Sequence, residues 1–399
     1  MKISTHWFFS GKAFFFICFF IVTGVRSEED NDYPVAERVQ RIEQFLADSE
    51  KNGFSGAVLV SFKGKVILKD AFGYADQQAQ IPATTEMVYD IGSLTKQFTA
   101  AGILQLVKER KLSTDDTLSK FFDNLPEDKK KITLHQLLTH TSGVSAPFSL
   151  QDDFDYIETD EFFHKVFSKK LKFEPGSKHE YQNVGYSILG RVIELVSDET
   201  YEVFLNRVFF KPLGMTQTGY LLPEWDPSLY PKAYFLGKVE DETNIPKYQK
   251  ANRISWVLKA NGGIYSTVSD MHKWMSALAT NEVLTLELIN LLTDKHVETS
   301  SNAFSGYGWG VNYGSLYHIK YIQHSGSNGF FFSHIRWKQN EEQFQVIMLS
   351  NMFSRSVMRV PGKIVNIWNN PEYSPSDFKK SIWGPLAKLT WPVPKWLLF

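Results

Sequence analysis

Two residues three apart pose the first chemical question: Ser93 and Lys96 in the stretch DIGSLTKQFTA, residues 90–100. Side chains three apart on a helix share a face, so hydroxyl and amine can meet. A serine hydroxyl is a poor nucleophile until a base takes its proton. A lysine can be that base when burial or a nearby cation lowers its pKa toward neutrality. Ile91, Leu94 and Phe98 supply apolar flanks. A helix predicted to start at Ser93 would also aim backbone N–H groups at developing negative charge. The competing reading is an N-cap serine with an exposed lysine one turn in. The four residues alone do not decide between the two.

Two further groups carry side chains that could complete such a site. In HEYQNVGYSILG, residues 179–190, Tyr181 and Asn183 flank one residue ahead of a predicted helix. A tyrosine can shuttle a proton if neighbouring cations lower its pKa, and an asparagine offers a donor and an acceptor to an amide. The competing reading is a half-buried tyrosine beside an N-cap asparagine. In HSGSNGFFFSHIRW, residues 324–337, His324, Ser325 and Gly326 fall on a predicted strand. Small residues on a strand let another backbone approach closely, and a strand edge can bind an extended acyl-amide. The competing reading there is a glycine-rich turn with a surface histidine.

Taken in this order, the three groups resemble the serine β-lactamase and penicillin-binding-protein superfamily. The likeness is to the branch holding class C β-lactamases, D-alanyl-D-alanine carboxypeptidases and related esterases. That branch carries Ser-x-x-Lys, then Tyr-x-Asn, then Lys-Thr-Gly or His-x-Gly. LLTHTSG (137–143), FEPGSKHEYQNVGYSILG (173–190), PLGM (212–215), ANGGIYSTVSDMHKW (260–274) and GYGWG (306–310) extend the match. It spans roughly residues 35–355. The resemblance implies that Ser93 becomes acylated and that Lys96 takes its proton. Tyr181 relays protons with Lys96 and activates the deacylating water. Asn183 holds the substrate's amide. The backbone N–H groups of Ser93 and Ser327 form the oxyanion hole, and His324, Ser325, Gly326 and Ser327 line the substrate. No cofactor is implied.

One departure bears on the substrate. His324 stands where many relatives carry a lysine, and an imidazole with an ordinary pKa near 6.5 is mostly neutral at pH 7. This shifts weight from antibiotic hydrolysis toward esterase or peptidase chemistry, although relatives with His-x-Gly include both. The expected substrate is a small molecule or peptide carrying an amide or ester: a β-lactam, a D-Ala peptide or a small ester. The rival is a penicillin-binding sensor or scaffold that acylates without turnover. No metal site is read: the ten histidines include no pair at helical i, i+4 spacing.

The elements that must position these residues read as α+β, a β-lactamase/transpeptidase-like antiparallel sheet flanked by helices, with a mostly helical lobe. Val35, Val39, Ile42, Phe45 and Leu46 follow a helical period. Two strands joined at Lys63-Gly64 follow, then a helix from Ser93 to about Lys111. The segment from about 112 to 292 is mostly helical. Four short β-rich runs return late: GYGWGVNYG, HIKYIQHSG, FFFSHIRWK and FQVIMLSNM. Strands at both ends of the chain with helices between predict one sheet paired across the whole sequence. The hydrolase domain is placed at 28–360, with a C-terminal extension at 361–399.

The chain has 399 residues, 43% hydrophobic and 22% charged, with 43 basic and 44 acidic side chains. That composition is globular, and without a basic stripe it gives no sign of a nucleic-acid partner. Residues 1–27 read as a secretory signal peptide: Lys2 and Lys12, the apolar run Ala13–Val22, then small and acidic residues. The run is short of the roughly 20 residues a membrane span needs, and an uncleaved N-terminal anchor is the alternative. The single cysteine, Cys18, lies in that run, so the exported chain has no thiol chemistry. A secreted or periplasmic location follows as the expectation. Trp383, Trp391 and Trp396 among prolines mark the tail as an extended arm, with a membrane-surface contact as its alternative. The sequence does not give the oligomeric state.

Overall fold

A computed structural model describes residues 33–147, 156–221, 223–224, 226–235, 238–239, 253–313 and 320–374. The expected export segment and the tryptophan-rich tail lie outside the described residues. Helix α1 (Val35–Lys51) runs into strands β1 (Gly56–Phe62) and β2 (Lys65–Phe72). The two strands turn through Lys63 and Gly64, with φ of 50° and 75°. Positive φ at both central residues is what a two-residue hairpin matched to strand twist requires.

The late strands are β3 (Val297–Ser300), β4 (Ala303–Ser305), β5 (Gly310–Tyr313), β6 (Lys320–Ser327), β7 (Phe332–Lys338) and β8 (Phe344–Ser350). They form one eight-stranded sheet in the order β2-β1-β8-β7-β6-β5-β4-β3. The join between chain ends is the antiparallel pair of β1 and β8, with Val58 opposite Met348 and Val60 opposite Val346. The predicted pairing of the two ends is therefore present. β3 and β4 were not among the predicted strands: VETS is mostly exposed and AFS is only three residues long, so no apolar alternation marks them.

Helices cover both faces, which is why β1 and β8 show no polar alternation. Val58, Val60, Val346 and Met348 pack with Ile42, Phe45 and Leu46 of α1 in one cluster. Ala57, Leu59, Ile347 and Leu349 face the other cluster, which continues into the helical lobe. That lobe is built from α2 (Thr95–Lys108), α3 (Leu134–Leu138), α4 (Thr159–Ser168), α5 (Asn183–Ser197), α6 (Tyr201–Leu205), α7 (Val268–Ala279) and α8 (Leu286–Thr293). α2 is its axis: every residue from Thr95 to Leu104 is buried. A helix hidden all round belongs in the centre of a large domain.

The boundary expected at 360 needs correction. It cuts helix α9 (Arg355–Asn369), which packs on β7, β8 and α1. Val357, Val360, Ile364, Ile367 and Trp368 are buried there, and the Trp368 ring stacks on Phe344 at 4.3 Å. Pro361-Gly362 inside this helix hid it in the sequence, because proline lacks the N–H of a helix interior and ordinarily breaks it. Trp368→Ala is expected to destabilise the domain by about 3–5 kcal/mol, read from urea unfolding. A loss under about 1 kcal/mol would show that α9 is not part of the core.

Candidate active site

The site forms where the turn before α2 crosses the end of β6. Ser93 lies in a tight 3₁₀ turn, Gly92–Leu94, and α2 begins only at Thr95. The helix start predicted at Ser93 is thus displaced by two residues. Neither flanking cap position, Ile91 or Leu94, makes a side-chain capping bond. Ser93 occupies neither cap position, so the N-cap reading fails. Its hydroxyl instead accepts from the Lys96 amine, Nζ to Oγ 3.2 Å.

Lys96 is completely buried. Its Nζ also donates to Asn183 Oδ1 at 2.8 Å and to the Asn261 carbonyl at 2.6 Å. The amine sits 4.9 Å from the centre of the Tyr181 ring and 5.6 Å from that of Tyr186, close enough for cation–π attraction. Asn183 is the first residue of α5 rather than its N-cap, which is Gln182. Its side chain is therefore free to reach the lysine.

Tyr181 is held by His140, whose stretch LLTHTSG entered the sequence reading only as part of the family match. His140 stacks on the Tyr181 ring with centroids 4.4 Å apart and planes 28° from parallel. The Gln182 N–H donates to His140 Nδ1 at 3.1 Å, and the Glu180 N–H donates to the His140 carbonyl at 3.0 Å. The residues before and after Tyr181 are both pinned to one histidine. His140 adopts φ 59°, and burial first, then the Lys96 charge, holds its pKa well below the usual imidazole value. A histidine between two threonines was the available signal, and nothing in its spacing distinguished it. Burial also raises the Tyr181 hydroxyl well above its ordinary pKa, with Ser93 nearby as a smaller opposing influence. The sequence reading asked for a tyrosine acidified by cations; the opposing influence on it is Ser93 rather than a cation, and burial prevails. The Tyr181 hydroxyl is buried and makes no formed hydrogen bond to the protein.

β6 brings the third group. Strand β5 pairs with β6 only over Lys320–Gln323, while β7 pairs with it as far as Ser327. Among the described strands, His324–Ser327 therefore has one free edge, beside Ser93. Gly326 faces the nucleophile turn: a Cβ there would lie 1.9 Å from the Ile91 carbonyl oxygen and 2.8 Å from the Ser93 nitrogen. Gly92, at φ +51°, meets it from the other side, where a Cβ would be 2.5 Å from the Ser327 nitrogen. Two glycines at one crossing let the main-chain nitrogens of Ser93 and Ser327 come together.

His324 lies near Tyr181, ring centroids 6.4 Å apart. Burial, then the Lys96 charge, lowers its pKa to about 3. Its Nδ1 is buried with no protein partner. Two of the expected substrate-lining hydroxyls point elsewhere. Strand alternation turns Ser325 to the opposite face, where its Oγ is 2.8 Å from His334 Nδ1. Ser327 Oγ donates to the Phe331 carbonyl at 2.8 Å and accepts the Gly329 N–H at 2.9 Å, so it is spent on its own turn. Ser325 does not join the site, and Ser327 contributes only its backbone.

A buried serine–lysine pair beside a tyrosine ring, with the Ser93 and Ser327 nitrogens near one glycine crossing, is the arrangement the resemblance to the serine penicillin-recognising proteins led one to expect. Comparison with known proteins agrees. The profile of the Beta-lactamase family matches residues 39–363, and the chain belongs to that family. It is 29% identical over 348 residues to the "Putative penicillin-binding protein PbpX" of Bacillus subtilis (strain 168), covering 87% of this chain and 82% of that one. The octameric penicillin-binding protein homologue from Pyrococcus abyssi superposes with a TM-score of 0.70 at 25% identity, over 85% of this chain and 78% of that one. The D-amino acid amidase from Ochrobactrum anthropi SV3 shares the fold, with a TM-score of 0.70 at 22% identity over 84% of this chain and 99% of that one.

Gly326→Ala should be damaging out of proportion to its size. Overpacking at the crossing is expected to cost about 1–3 kcal/mol of stability. By parting the two N–H groups it should also slow acylation by roughly 10²-fold or more. An alanine variant that acylates at the wild-type rate would show that this approach does not matter.

Proposed function

We propose that the protein is an exported serine hydrolase that transfers an acyl group from an amide or ester to Ser93 and then to water. The observation that carries this reading is the fully buried Lys96 amine 3.2 Å from Ser93 Oγ. In acylation the neutral form of Lys96 keeps its N–H bonds to Asn183 and the Asn261 carbonyl and turns its lone pair to Ser93; Ser93 Oγ bonds to the substrate carbonyl carbon while its proton passes to that lone pair. The oxyanion is stabilised by the N–H groups of Ser93 and Ser327, an arrangement in which one donor is worth about 2.7–4 kcal/mol of barrier. The carbon–nitrogen or carbon–oxygen bond then breaks. The leaving group takes a proton through the Tyr181 hydroxyl, which burial keeps protonated and so suited to donate. Water enters by the reverse route, losing its proton to the Lys96–Tyr181 pair. Asn183 both anchors Lys96 and lies within reach of a substrate amide.

The substrate class follows from His324. With its pKa near 3, the imidazole is neutral throughout the physiological range and offers no charge to a substrate carboxylate. This favours small esters and uncharged amides over penicillins or free D-Ala termini, although PbpX carries a penicillin-binding name.

Ser93→Ala should abolish hydrolysis of a p-nitrophenyl ester while leaving the melting temperature near wild type; retained turnover would remove Ser93 as nucleophile. For a matched pair of D-Ala-D-Ala peptide and its C-terminal amide, the kcat/KM ratio should stay flat from pH 8 to pH 5. A protonating His324 would raise the carboxylate's share as pH falls through about 6.5, its ordinary value. That rise would contradict the assigned neutrality. His324→Lys should move the ratio toward the carboxylate.

A further inference from the structure

The mechanism leaves unused a buried carboxylate that borders the site. Asp90 is 4% exposed, three residues before Ser93, and lies beneath the crossing of the nucleophile turn and the end of β6. Its Oδ1 accepts the Gly92 N–H at 2.7 Å, closing the turn that sets the direction of the next peptide, Ser93. Its Oδ2 accepts from Asn328 Nδ2 at 2.9 Å. Asn328 is itself committed: its Oδ1 accepts the N–H groups of Phe330 at 3.0 Å and Phe331 at 2.9 Å. That fixes the loop that follows Ser327. One carboxylate therefore holds the residue next to each oxyanion donor, Gly92 by its N–H and Asn328 by its side-chain amide, on segments more than two hundred residues apart. Around it the chain is pinned independently, Asp90 pairing with Tyr265 and the Ile91 N–H donating to the Ile264 carbonyl at 2.9 Å. The carboxylate is not needed merely to hold this strand in place. A carboxylate buried on two donors is costly to keep, and retaining it calls for a task.

We propose that Asp90 is a positioning residue for the oxyanion hole, clamping the Ser93 and Ser327 N–H groups in register through Gly92 and Asn328. It touches no reacting atom. An amide at position 90 cannot do the same. Its oxygen could keep the Gly92 N–H, but its NH₂ would face the NH₂ of Asn328, whose oxygen is occupied twice. The exchange Asp90→Asn with Asn328→Asp restores all four bonds, with donor and acceptor reversed only in the bond between the two side chains.

This inference rests on Ser93 being the nucleophile, and the test separates the two. Phenylboronic acid forms a tetrahedral Ser93 adduct whose oxygen occupies the oxyanion hole, whereas substrate KM reports largely on ground-state contacts. If wild type forms no adduct and hydrolyses no ester, the nucleophile reading fails first. Given a working wild type, D90N should acylate at least about tenfold more slowly and bind the boronate more weakly by a similar factor, with KM within about threefold. The D90N/N328D pair should regain most of both losses. Wild-type acylation and boronate affinity in D90N would overturn the clamp. So would a rise in KM that matches the loss of boronate affinity together with a drop in melting temperature, or a double variant no better than D90N.

Discussion

Everything in this domain is arranged so that one amine can be buried without water. Taking a charged or polar group out of water costs several kcal/mol unless polar partners replace the solvent. Lys96 finds Ser93 on the preceding turn, Asn183 at the start of α5 and the Asn261 carbonyl far along the chain. The last two of these partners exist only once the helical lobe is assembled. The burial of α2 on every side is the other half of the same constraint. A lysine on an amphipathic surface helix would point to solvent and do nothing to a neighbouring hydroxyl.

The second constraint is the crossing of backbone on backbone. Gly92 and Gly326 remove the side chains that would separate the turn from β6. Ser333 Oγ donates to the Ile91 carbonyl at 2.6 Å across the same gap, tying β7 to the turn. In the proposed mechanism the sheet lobe, made from both ends of the chain, thus delivers one oxyanion donor, and the helical lobe delivers the base and the tyrosine. Because β1 and β8 must pair to complete that sheet, the active site depends on contacts between residues nearly three hundred positions apart.

Residue spacing carried much of this. Ser93 and Lys96 are three apart, Tyr181 and Asn183 straddle one residue, and His324 and Gly326 share a strand face; each arrangement is visible as letters. The end-to-end sheet was legible because apolar runs with strand character occur only near the two ends. What stayed hidden was relational. Alternation puts Ser325 behind the strand once His324 faces the site, but that choice of face is fixed by the partner β7 and His334. His140 and Asp90 act by touching residues adjacent to the catalytic ones, and no local pattern announces such contacts. Helix α9 was masked by its own proline, where packing of Trp368 and its neighbours overrides local propensity.

The central claim is that a buried lysine makes Ser93 the point of covalent attachment. It is tested most directly by acid-quenching the protein during ester turnover and mapping the acyl group by peptide mass spectrometry. The account predicts one acylated peptide, modified at Ser93, whose rate of formation falls sharply in Lys96→Ala. An acyl group on another residue, or unchanged labelling of Ser93 without Lys96, would contradict it.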